Sequence, residues 1–67
     1  MELTHITRNE ITVTISVDEL VFLCNAINEA LEAVEDWEFQ TRTGNSRKRA
    51  TEILGQLRKV LDEAQAV

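Results

Sequence analysis

The stretch Ile11-Thr12-Val13-Thr14-Ile15-Ser16-Val17-Asp18-Glu19-Leu20 changes its period partway along, and that change decides the fold. From Ile11 to Val17 apolar and hydroxyl residues alternate, the pattern of a strand with one buried and one wet face. Ser16-Val17-Asp18-Glu19 then matches Ser-x-x-Glu, in which hydroxyl and carboxylate satisfy each other's backbone amides at a helix start. Asp18 and Glu19 also suit the positive end of the helix dipole. Beyond them the apolar residues step by three and four: Leu20, Leu23, Cys24, Ile27, Ala30, Leu31 and Val34. That spacing predicts one long helix with a core-facing stripe.

Toward the N-terminus the chain stays strand-like. Nine of residues 1–17 are Ile, Val or Thr, the β-branched types that suit a pleated surface. Leu3-Thr4-His5-Ile6-Thr7 is the weaker strand. Arg8-Asn9-Glu10 supplies the turn, with Asn as the residue that tolerates a left-handed backbone. Leu3 and Ile6 differ in parity, so a bulge or an early strand end is expected.

Toward the C-terminus, residues 37–45 read as a connection, Trp37-Glu38-Phe39-Gln40-Thr41-Arg42-Thr43-Gly44-Asn45. Gly44 gives backbone freedom there, and Asn45 or Ser46 caps a second helix. Its face carries Ala50, Ile53, Leu54, Leu57, Val60, Leu61 and Ala64. Gly55 falls mid-helix off that stripe, where it costs roughly 1 kcal/mol relative to Ala; either another backbone comes close there or the glycine is merely tolerated. The expected architecture is therefore α+β, an N-terminal β-hairpin followed by two helices packed on one sheet face. A single small domain spans residues 1–67.

Composition removes several classes. There is no Pro, one Cys and one His among 67 residues. A disulfide scaffold needs paired cysteines, and a structural zinc site needs about four Cys/His ligands. No metal site and no cofactor is expected. No apolar run approaches the ~20 residues of a membrane span, and Met-Glu-Leu-Thr-His-Ile lacks the regions of a signal peptide. A cytoplasmic protein with no membrane partner is the expectation. A chain this short buries only about 60% of its unfolded surface, and small domains without staples often oligomerise.

Catalysis finds little support. His5 lies near the N-terminus on an edge strand, with no paired nucleophile in sequence. Cys24 lies inside the core stripe and is expected to pack as a small hydrophobe. Glu29, Glu32, Glu35, Asp36 and Glu38 read as a solvated acidic face, because a raised-pKa carboxyl needs a protected pocket that so short a chain can hardly build. No phosphate loop or metal-binding spacing occurs. The protein is not expected to be an enzyme.

Charge is more telling. The chain carries 12 acidic and 7 basic side chains, a net charge of −5. Those five acids crowd the end of the first helix, while Arg42, Arg47, Lys48 and Arg49 crowd the start of the second. Both clusters oppose the dipole of their own helix. Either they pair across the loop, or Arg47, Lys48 and Arg49 contact something anionic. A nucleic-acid partner is disfavoured, because such domains are usually basic.

Two surfaces are candidate interfaces. Phe22, Ala26, Ala33 and Trp37 form a second apolar wing beside the stripe of the first helix, and a wing of that kind predicts a homodimer. Glu35, Asp36, Trp37, Glu38, Phe39 and Arg42 bring aromatics, Arg and acids together at the helix end, the residue types of a binding hot spot with electrostatic steering. The competing account makes Trp37 and Phe39 plugs for the end of the core or for a dimer seam.

The stretch Asn25-Ala26-Ile27-Asn28-Glu29, followed by Glu38-Phe39-Gln40-Thr41-Arg42-Thr43-Gly44 and Ser46-Arg47, resembles small bacterial proteins. These share an Asn-Ala-x-Asn-Glu helix and a Glu-Phe-x-Thr-Arg-x-Gly loop. The resemblance covers residues 18 to about 58. It implies one folded unit of bacterial or phage origin and brings no activity. It leaves open whether Asn28, Thr41 and Arg42 tie the loop to the first helix or form a binding surface.

Three functional classes remain at this level. A protein–protein interaction module, such as an inhibitor, immunity-type or regulatory subunit, fits the surplus apolar face. An acidic nucleic-acid mimic blocking a DNA- or RNA-binding protein is second, and a DNA-binding regulator using the basic start of the second helix is third.

Overall fold

The computed structural model describes residues 1–67. Its elements are β1 (Glu2–Ile6), β2 (Ile11–Thr14), α1 (Val17–Ala33), α2 (Asp36–Thr43) and α3 (Arg47–Gln65). The class is α+β. The strands form a two-stranded antiparallel sheet, and the helices follow.

The parity conflict in β1 is resolved by a bulge. Leu3 opposes Val13, His5 opposes Thr12 and Ile6 opposes Ile11, with the register shifting between Leu3 and His5. Thr4 is the extra residue, and its Oγ1 donates to the Thr12 carbonyl at 3.0 Å. A bulge lets two residues face one, so Leu3 and Ile6 share a face with Ile11 and Val13. The turn corrects the expectation for Asn9. No residue other than glycine has a positive φ. Instead the Thr7 amide donates to the Glu10 carbonyl at 2.8 Å, and the Glu10 amide donates to Thr7 Oγ1 at 3.1 Å.

The helix start at Ser16 forms as its pattern requires. The Glu19 amide donates to Ser16 Oγ and the Ser16 amide to Glu19 Oε1, both at 3.0 Å. Glu19 also accepts from the Met1 ammonium at 2.9 Å. The ammonium first, and then the Ser16 backbone and hydroxyl, hold the Glu19 carboxyl down to about 2. A depressed carboxylate stabilises the fold above its unfolded pKa, near 4.3, and loses that contribution as pH falls toward its folded value. Acid titration followed by circular dichroism is therefore expected to show less loss between about pH 4 and 2 for Glu19→Gln than for the native chain. Equal acid limbs would remove Glu19 from the account. The site is open to water, so the difference shrinks in salt.

The core lies between helices. Leu20 and Cys24 of α1 meet Leu54 of α3, with Ile15, Ile27, Leu31, Leu57 and Leu61 packed around them. Cys24 is buried, as its place in the stripe required. Val60, expected on the buried face, lies at its margin and is exposed. Gly55 has open space where a Cβ would stand, so no neighbour requires it.

Two expectations are corrected. The second apolar wing does not run along one helix to Trp37: α1 ends at Ala33, and the expected connection contains a third helix, Asp36–Thr43. Gly44, at φ 81°, closes α2 in the left-handed conformation, its amide donating to Gln40, as a C-terminal glycine does. Nor do the helices cover the sheet. Every strand residue is exposed, and helix packing is α1 on α3 and α2 on α3. Only Ile15 and Ser16 separate β2 from α1, so the helices lie beyond the hairpin's end instead of across its face. The result is a slab of 37 × 32 × 16 Å.

Candidate partner-binding surface

The surface at the end of α1 is organised by one side chain. Arg47, the first residue of α3, reaches back through its guanidinium to two other helices. Nε donates to Asp36 Oδ1 at 2.7 Å. Nη2 donates to the Val34 carbonyl at 2.7 Å, and Nη1 donates to the Leu31 carbonyl. The guanidinium carbon stands 4.8 Å from the centroid of the Phe39 ring, within cation–π range. α1 has no basic residue in its own last turn. Arg47 supplies the missing cation in space, where the dipole favours it and the last carbonyls lack partners. The charge clusters that oppose the dipole in sequence are thus in part complementary in the fold.

This placement corrects two site expectations. Arg47 is spent inside the chain and cannot lead an anion contact. Of its neighbours, Arg49 leans toward Glu52 at 3.4 Å, and Lys48 is exposed and forms no ion pair. Phe39 is 2% exposed and belongs to the core, not to an interface.

Around the clasp the remaining candidates do reach solvent. Trp37 is 79% exposed. It stands two residues before Phe39, on nearly the opposite side of α2 at 100° per residue. Glu35 and Asp36 beside it are exposed. Glu38 pairs with Arg42 at 3.3 Å along α2. Phe22, Ala26 and Ala33 are exposed together on α1, but the helix break separates them from Trp37. The wing is therefore not one continuous strip.

Neither Thr41 nor Arg42 ties this region to α1. Arg42 bonds within α2, and Asn28 within α1, to Glu32 at 3.4 Å. Thr43 instead fastens α2 to the turn that follows it. Its hydroxyl bonds the Phe39 carbonyl at 2.7 Å and the Asn45 carbonyl at 3.0 Å, linking α2 to the turn before α3. Ser46 then caps α3 by accepting from the Arg49 amide at 3.1 Å.

Two recesses open on the molecule. The better enclosed holds about 160 Å³ and lies among Ile27 and Ala30 of α1, Phe39 and Thr43 of α2, and Ala50 and Ile53 of α3. No titratable side chain lines it. The other is a shallow opening by Met1, Asp18, Glu19, Phe22 and Leu23, where Glu19 is already engaged by the Met1 ammonium. His5 is exposed on β1, opposite Thr12. No helix is long and apolar enough to cross a membrane. Compared with family models, curated proteins and solved structures, the chain matches none.

Proposed function

We propose that the protein is a non-enzymatic protein–protein interaction module that meets its partner through the outer face of α2. The observation that carries this is Trp37, a large aromatic 79% exposed beside carboxylates. Aromatics of that size dominate binding hot spots once a partner desolvates them. Glu35 has no ion pair, and Asp36 is 89% exposed in spite of its bond to Arg47. Both leave negative potential that would draw a basic partner surface and make association salt-sensitive. The more enclosed recess has only neutral side chains, which supports binding over acid–base chemistry. A DNA-binding regulator loses support because Arg47, its leading basic contact, is turned inward.

Trp37→Ala is the test. An exposed side chain away from any core contact changes stability by about 0.5 kcal/mol or less. Affinity capture from the host cell is expected to retain a partner on the native chain and lose it on Trp37→Ala at an unchanged melting temperature. Glu35→Gln is expected to weaken the same retention at low salt. Equal retention by the native chain and Trp37→Ala overturns the proposal. Retention on heparin lost in Lys48→Gln would instead favour nucleic acid.

A further inference from the structure

We infer that the bare face of the hairpin is the contact between two copies of this chain. The bulge at Thr4 gathers Leu3, Ile6, Ile11 and Val13 on one face, where they are 57%, 64%, 66% and 38% exposed. The other face carries Glu2, His5, Thr12 and Thr14. The hairpin is thus amphipathic and folded as if to cover something, yet the helices do not lie across it. A two-stranded sheet alone is marginal in water and needs its apolar face covered.

Area points to a second copy. The chain exposes 5520 Å², whereas a folded monomer of 7.6 kDa exposes about 4,300 Å². The excess, about 1,200 Å², is more than the ~800 Å² each partner buries in a standard interface. The radius of gyration agrees, at 13.4 Å against about 11 Å for a compact chain of this length.

Charge selects the hairpin over the α1 wing as the place where copies meet. A two-fold contact sets each surface against itself. The wing has Glu29 and Glu32 beside Ala26 and Ala33, so pairing it with itself brings like charges together. Residues 1–16 hold only Glu2 and Glu10 against Arg8, a nearly balanced surface in a chain of net −5. The two-fold axis therefore passes through the Leu3, Ile6, Ile11 and Val13 face. This dimer is independent of the Trp37 surface, so either can fail alone.

Sedimentation equilibrium at micromolar concentration is the test. The native chain is expected to give twice 7.6 kDa and a melting temperature that rises with concentration. Ile11→Lys and Leu3→Lys are expected to return the mass to 7.6 kDa, and Phe22→Lys to leave the dimer intact. If a lysine variant loses its helical circular dichroism, Ile11→Thr replaces it, with an expected rise in dimer Kd of at least about tenfold. A monomeric native chain overturns the inference. So does a dimer that survives both hairpin lysines or shows an unchanged Kd in Ile11→Thr, and so does one dissolved by Phe22→Lys alone.

Discussion

Phe39→Ala is expected to remove about half of the chain's stability or more. Emptying a fully buried Phe site costs about 3–5 kcal/mol. A domain of this length has about 3–10 kcal/mol in total. Phe39 is the most buried large side chain of the molecule, at 2% exposure, and its loss would widen a recess already open beside it. It is also the ring on which Arg47 lies. Thermal melting by circular dichroism should show a fall of at least about 12 °C, from 4–8 °C per kcal/mol in domains of this size. Phe39→Leu keeps most of the volume and should lose far less. A melt of Phe39→Ala matching the native one would mean that α2 is only loosely docked.

Arg47→Ala is expected to cost about 2–3 kcal/mol, with the damage at the joint between α1 and α2. Bonds from a charged donor contribute about 1.5–3 kcal/mol each, but the Arg47 side chain is 36% exposed and the freed carbonyls can take water, so the sum is far from additive. Lysine at this position keeps the charge at the end of α1 but cannot grip two carbonyls and a carboxylate as a planar fork does. Arg47→Lys should therefore recover roughly half of the loss. Asp36→Asn should cost no more than about 0.5 kcal/mol, as exposed pairs do. Denaturant unfolding of the three variants checks this order. A loss as large in Asp36→Asn as in Arg47→Ala would place the energy in the ion pair and not in the carbonyl clasp.

What could be read in the chain beforehand is what depends on neighbours in sequence. Ser16 and Glu19 are three residues apart, so their reciprocal cap is visible without any fold. The parity of Leu3 and Ile6 asks for a bulge or an early strand end because a strand has period two, and the chain takes the bulge. α2 left its own local marks: acids at Asp36 and Glu38, a Glu38–Arg42 pair at i,i+4, and Gly44 just after the end. The apolar stripe hides them, because it reaches Val34, one residue past the end of α1. The end of α1 is capped by a side chain from thirteen residues further on, and no periodicity records that. The mismatch between the basic cluster and the dipole of α3 was a true signal. It pointed to α1, whose end lies beside Arg47 only once the chain has folded. The bare hairpin was illegible for a similar reason, since alternation shows that a face is apolar but not which element covers it.

The exposure of Trp37 also sets what light can report from this molecule. The chain has one Trp and no Tyr, so ultraviolet-excited emission comes almost wholly from an indole already in water. Unfolding by denaturant should then scarcely shift the emission wavelength, even as helical dichroism collapses. The same indole becomes a clean optical signal for association at α2, because a blue shift there marks water leaving the ring while the fold stays as it was.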